Sequence, residues 1–241
     1  MKNLIKAEFF KLKKLTAYKA LLVIYLVTEA VVQMNNISNS VMYPEYNPAY
    51  TGAEWLLNLH QTLLLYSVVV FLFTAFYVKG DFTDHTFHSC LLCGVPRENA
   101  FLAKMISLFA GIVPLMLVPF LTGTVLWSVH AGFGVSLGAE AALIIGKAFV
   151  RQLLTSLMLV SHAVFFAVIA KSKIGAFVWS FGALYVFGVL RGNIENIIQI
   201  PALSKILMFL LSLFYINLGT FLASILLKLL IARYIFGKMD L

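Results

Sequence analysis

Four residues with metal-ligating side chains stand close together: His85, His88, Cys90 and Cys93. Imidazole and thiolate are both good zinc ligands, so the pattern HxxHxCxxC invites a metal reading. Its spacing argues otherwise. On one helix, at 100° per residue, His88 and Cys90 lie about 160° apart. Structural zinc sites also usually separate two ligand pairs by about a dozen residues. We therefore expect an ordinary loop and no metal. Gly134-Val135-Ser136-Leu137-Gly138 matches the GxSxG nucleophile elbow, which needs a strand before it and a helix after it. Here it lies between two long apolar stretches, so no serine hydrolase is expected. HExxH is absent, as is any adjacent carboxylate pair suited to intramembrane proteolysis. The phosphate-binding GxxxxGK[ST] is also missing, so the chain is not expected to bind ATP by that loop.

Ionisable groups within or beside apolar stretches are stronger candidates, because lipid makes them costly. Glu29 and His60 fall toward one side of the first two such stretches, and Lys147 and Arg151 lie at i and i+4 on a single helix face. Glu140 precedes them by a turn or two. One reading has Glu29, His60, Lys147 and Arg151 line a polar outer cavity on a substrate path. The other has them snorkel to the interface or pair with one another. His162, in the middle of an apolar run, reads as a packing or hydrogen-bonding group rather than a ligand.

The elements that would position these groups follow from composition. Of 241 residues, 61% are hydrophobic and only 12% charged, and mean hydropathy is +0.94. A soluble domain carries about 25% charged residues, so lipid must be part of this chain's solvent. A bilayer-crossing helix needs about 20 mostly apolar residues. The sequence predicts an all-α membrane domain with six spans, at 16–32, 55–78, 105–129, 148–170, 174–190 and 206–230. No cleaved signal peptide is expected, because the first apolar stretch starts late and no small-residue cleavage site follows it. Two cysteines, Cys90 and Cys93, are too few for a disulfide framework.

The net charge of +8 is distributed so as to suggest a membrane orientation and not a nucleic-acid partner. With the N-terminus inside, the cytoplasmic basic residues are Lys2, Lys6, Lys11, Lys13, Lys14, Lys19, Lys79, Arg97, Lys104, Lys171, Lys173, Lys228, Arg233 and Lys238. Lys147, Arg151, Arg191 and Lys205 remain outside. The reverse orientation would invert that bias, so both termini are expected in the cytoplasm. Residues 1–15 read as an amphipathic helix in the headgroup layer, with Leu4, Ile5, Phe9 and Leu12 at helical spacing. The polar stretch 33–54 reads as an outer loop. Residues 79–104 form the longest cytoplasmic connection, where a short membrane-parallel helix should end at Gly94 and Pro96. Residues 191–205 alternate Ile with Asn, Glu and Gln, which suggests an outer re-entrant segment. Pro114 and Pro119 can kink the third span.

This order of parts resembles the permease subunits of type-2 ABC transporters, also called type V exporters. Two segments carry the resemblance. LIKAEFFKLKKLTAYKALL is similar to the family's basic connecting helix before the first span. In the following loop, Asp84, Thr86, Leu91-Leu92, Gly94-Val95-Pro96-Arg97 and Ala103-Lys104 fall in register with the family pattern, with departures at His85 and Pro96. The resemblance implies that Glu8, Phe9 and Lys11 of the connecting helix, with Asp81, Phe82, Asp84, Phe87, Leu91 and Arg97 of the coupling loop, meet a separate ATPase subunit. It further implies two permease chains, identical or paralogous, with ATP and magnesium on the ATPase and no cofactor or catalysis on this chain. The expected setting is a bacterial cytoplasmic membrane. Small size and the lack of a large outer domain look most like the permeases of lantibiotic immunity systems, with an amphiphilic substrate. An ATPase-independent channel or scaffold is the alternative, and an intramembrane enzyme would need a convergent catalytic set that the sequence does not offer.

Overall fold

The computed structural model describes residues 1–46, 49–83, 92–136, 138–197 and 221–238, with only the backbone course given for 60, 61, 83, 187–197, 221–224, 237 and 238. Among the described residues the chain is helical, with no strand. Helix α1 covers Lys2–Lys14, α2 Thr16–Met42, α3 Gly52–Leu57 and α4 Leu63–Thr74. Next come α5 Gly80–Thr83, α6 Arg97–Ala131, α7 Ala139–Ile169, α8 Lys173–Ile197 and α9 Phe221–Lys238. Among the described residues, four stretches are long and apolar enough to cross a membrane: Thr16–Met42, Leu63–Phe82, Arg97–Ala131 and Ala139–Ile169. A shorter apolar helix covers Lys173–Val186. The expected sixth span at 206–230 and the re-entrant segment at 191–205 lie largely outside the described residues.

Helix α2 continues past residue 32 to Met42, through what reads in the sequence as the start of a polar loop. Two of the polar residues there turn inward, while Asn35 and Ser38 stay exposed. Gln33 and Ser40 are buried, and the Ser40 hydroxyl donates to the Ile37 carbonyl at 2.8 Å. Val23, Val27, Val31 and Met34 face outward instead. In lipid this inside-out pattern is stable, since the apolar face needs no protein cover and the polar one does.

The second expected span, 55–78, is not one straight helix. Helix α3 ends at Asn58, and a 3-10 turn at Leu59–Thr62 leads into α4. The Arg151 guanidinium donates to the Leu56 carbonyl at 3.0 Å and also to the Leu57 carbonyl, so the broken end is capped. A wide π-type turn, Ala75–Lys79, then joins α4 to α5. Such turns often mark functional positions. Here it buries Tyr77, Lys79 and Asp81 together while Phe76 stays half exposed. Helix α6 begins directly after Pro96, as the turn signals predict, and carries Pro114 and Pro119 within it. Near Pro114 the Tyr18 hydroxyl donates to the Gly111 carbonyl at 2.7 Å.

The contacts divide the chain into two compact units. One comprises Met1–Lys13, Val70–Phe109 and Leu154–Leu241, the other Lys14–Val69 and Ala110–Leu153. The second unit is centred on buried aromatics. Trp55 and Trp127 stack with ring centroids 6.2 Å apart, and Tyr50 meets both edge-on. Gly123 permits this, because a Cβ there would collide with the Trp55 indole. The first unit packs Phe71 and Phe166 each against His162, and His162 Nε2 donates to the Ser180 carbonyl at 3.0 Å. His162 is thus a packing and hydrogen-bonding group, as its sequence context suggests.

Candidate functional site

Within the first unit, α1, the π-type turn and α6 converge on four charged side chains. Helix α1 turns Leu12, Glu8 and Lys11 inward and leaves Phe9 and Phe10 exposed. Its docked face is therefore more polar than the apolar stripe expected from Leu4, Ile5, Phe9 and Leu12. The reason lies on α6. Lys104 sits among Phe101, Leu102, Ala103, Met105 and Ile106, and its side chain is only 1% exposed. A buried ammonium is tolerable only when paired. Lys104 Nζ donates to Glu8 Oε2 at 3.0 Å and to the Asp81 carboxylate. Asp81 also holds the Lys11 ammonium. Two carboxylates and two ammonium groups thus neutralise one another.

Tyr77 completes the arrangement. Its ring lies under the Lys104 ammonium, 3.6 Å from centroid to nitrogen. Its hydroxyl lies 2.9 Å from Glu8 Oε2 and 2.8 Å from Ser107 Oγ. Ser107 in turn donates to the Lys104 carbonyl at 2.9 Å. Among the described residues, the side chains of this set are engaged with one another. The set ties the amino-terminal helix to the end of the α4–α5 span, immediately before residues 84–91. A second contact holds α5 at its other side. The Phe82 ring meets Phe236 of α9 edge-on, with centroids 5.6 Å apart, and Phe236 packs on Phe101. Lys79 lies over the Phe82 ring at 5.1 Å.

The sequence candidates are therefore placed as follows. Glu8, Lys11 and Asp81 are brought together, and Phe82 is beside them on α5. Phe9 is exposed on α1, and Arg97 is exposed at the start of α6. Asp84, Phe87 and Leu91 lie outside the described residues. Lys104, named in the sequence only as part of the family pattern, and Tyr77, not named there, join the site. Lys104 could have been found, because a lone lysine at helical spacing within an apolar run must have acidic partners. Tyr77 gave no such signal.

Of the groups in the outer-cavity reading, Glu29, Lys147 and Arg151 have separate surroundings. Glu29 is fully buried and accepts from Gln33 Nε2 at 2.7 Å, and Gln33 Oε1 accepts from Trp127 Nε1 at 3.2 Å. Arg151 caps α3, and Lys147 is exposed. His60 falls on the 3-10 turn, with its side chain outside the described set. Gly134 of the GxSxG segment and the two residues before it lie against the start of α3. The Gly132 and Phe133 carbonyls accept from Gly52 and Ala53 N–H at the start of α3. Gly134, with φ of +90°, sits so close to Thr51 that a Cβ would clash with it. Of the His/Cys set only Cys93 is described, as an exposed free thiol. No cluster of three metal-ligating residues occurs among the described residues.

A family profile, ABC-2 family transporter protein, matches residues 4–190. The chain belongs to the ABC-2 transporter family. The match begins within α1 and ends within α8, so the charge cluster and the four long apolar helices of this ABC-2 transporter protein fall inside it. No curated protein and no solved structure matches the chain. Apolar helices and family together make it a multi-pass membrane protein.

Proposed function

We propose that this ABC-2 chain is the permease subunit of an ATP-driven exporter, powered by a separate ATPase subunit that carries ATP and magnesium. The permease itself catalyses no reaction and holds no cofactor. The observation that carries this reading is the Glu8–Lys104–Asp81–Lys11 cluster. It makes α1 and the end of the α4–α5 span one body at the base of the 84–91 segment. A force applied to that segment would pass to both the amino-terminal helix and the second and third spans without loss in soft contacts. That is what a coupling element requires.

In this reading both termini face the cytoplasm of a bacterial cell, six spans cross the membrane, and two permease chains, identical or paralogous, assemble with two ATPases. The basic bias of the sequence supports the orientation. The substrate is an amphiphile taken from the cytoplasm or inner leaflet. Antimicrobial peptides of the lantibiotic class are the leading candidates, on the resemblance to small permeases without a large outer domain.

The test is coexpression with a neighbouring phosphate-loop ATPase, followed by purification in gentle detergent and an ATPase assay. The wild-type chain should bring down the ATPase, and Asp84→Ala combined with Phe87→Ala should lose it. If no ATPase copurifies and the variant behaves like wild type, an ATPase-independent channel or scaffold replaces this reading.

A further inference from the structure

Glu29 is fully buried in the second unit, on the inward face of α2. Its Oε1 accepts from Gln33 Nε2 at 2.7 Å, and its Oε2 has no partner among the described residues. Asp81, the other buried carboxylate among those residues, is treated differently. Asp81 holds two ammonium groups, whereas no cation pairs with Glu29. One turn back on the same face stands the Tyr25 hydroxyl, also buried and also without a partner among the described residues. Two oxygens at i and i+4, one of them on a carboxyl group, thus share an unused face.

Aromatic rings lie beside them. Tyr25 stacks on Tyr66 with centroids 6.5 Å apart, and Gln33 ties Glu29 to the Trp127 indole. Tyr66 and Trp127 are as deeply buried as Tyr25. A carboxylate in an apolar interior is costly unless a cation joins it. Aromatic faces add attraction for that cation. An ammonium group meets both conditions, because it carries the missing charge and offers N–H donors to both oxygens. Nothing comparable serves a metal ion, since no three ligating side chains gather among the described residues. The hold on α2 is also loose. Only 17% of its apolar stretch is buried, against 61–67% in the other three long helices. Its buried residues are Tyr25, Glu29, Gln33 and Ser40. A polar seam, not an apolar one, keeps it in place, and polar seams in lipid mark ion and substrate paths.

We propose that Glu29 is the counter-charge for a primary ammonium group on the amphiphile this chain moves, with Tyr25 Oη as the second acceptor and the Tyr66 and Trp127 rings beside it. The seam is closed in this structure, and α2 parts from Tyr66 and Trp127 to admit the ligand. This inference rests on the permease reading and adds the charge of its substrate.

The experiment places the full-length chain, carrying Trp179→Phe, in phosphatidylcholine nanodiscs and titrates it with octylammonium, octanol and octanoate. Tryptophan emission is the readout. The chain has three tryptophans, and Trp179 is exposed on α8. Its replacement leaves Trp55 and Trp127, which stack on one another. Octylammonium should change the emission saturably, and octanol and octanoate should not. Glu29→Gln should weaken octylammonium about tenfold or more and still accept from Gln33. Tyr25→Phe removes a hydroxyl that has no partner, so it should weaken octylammonium severalfold without lowering the unfolding midpoint. No saturable response to octylammonium overturns the proposal. So does an equal response to octanol, or undiminished octylammonium binding by both variants, since either is simple partition into apolar space. The measurement needs no ATPase, so the two readings fail separately. If the ATPase copurifies and octylammonium does not bind, the exporter stands and this site falls. If octylammonium binds as expected and no ATPase copurifies, the site stands, in an ATPase-independent channel or scaffold.

Discussion

The Lys104 ammonium lies over the Tyr77 ring, 3.6 Å from its centroid, with Glu8 Oε2 3.0 Å away. Burial makes this pairing consequential. Lys104→Ala would leave the carboxylates of Glu8 and Asp81 facing each other with only Lys11 between them. Breaking one side of a buried ion network costs about 3–5 kcal/mol. We expect Lys104→Ala to lower the unfolding midpoint sharply in detergent, and Lys104→Met with Asp81→Asn to recover part of the loss. An unchanged midpoint for the single variant would mean that the cluster does not hold α1 in place.

Gly123→Ala tests the second unit. Its new Cβ would overlap the Trp55 indole, which is 1% exposed and stacked on Trp127. A ring held on both sides cannot step aside as a flexible chain would. Overpacking of this kind costs about 1–3 kcal/mol. Thermal unfolding should show the loss, together with a changed tryptophan fluorescence maximum. Gly146→Ala, where an added Cβ meets nothing within 4 Å, is the neutral control.

Gln33 connects two buried groups, accepting from Trp127 Nε1 at 3.2 Å and donating to Glu29 Oε1 at 2.7 Å. Gln33→Leu fills similar space but strands both partners. Each buried polar group left without a partner costs about 1–3 kcal/mol. Glu29→Gln keeps an acceptor for the Gln33 amide and should cost less. If Gln33→Leu unfolds at the wild-type temperature, the link between Trp127 and Glu29 contributes nothing.

The apolar runs made most of the fold legible, because about 20 uncharged residues in a row admit few alternatives to a membrane helix. The start of α6 was also readable from Gly94 and Pro96. The extension of α2 was not. Gln33 and Ser40 look like loop residues until their partners are known, since in lipid a polar residue marks an inward face as readily as a helix end. The break at Asn58 was hidden for a related reason. It depends on Arg151, distant in sequence, reaching the Leu56 and Leu57 carbonyls. For the candidate site, Glu8, Lys11 and Asp81 were reached only through the family resemblance, as residues meeting a partner subunit. Their convergence on Lys104 depends on tertiary packing that local spacing does not encode.

Thr51 and Glu54 bracket the start of α3 as a reciprocal cap. The Thr51 backbone N–H donates to Glu54 Oε2 at 2.8 Å, and Glu54 N–H donates to Thr51 Oγ1 at 3.3 Å. The backbone donor, then the Thr51 hydroxyl, hold the Glu54 carboxyl below the usual carboxylate range. Because its pKa is lower folded than unfolded, the cap adds stability above the ordinary carboxylate range. That contribution disappears as pH falls through the depressed value. Amide protection factors over Gly52–Leu57 should therefore drop on acidification from neutral pH to below the carboxylate range. Glu54→Gln should flatten this dependence, while Thr51→Ala should cost about 1 kcal/mol. Protection that is independent of pH in the wild-type chain would mean that the carboxylate is not the group holding the cap.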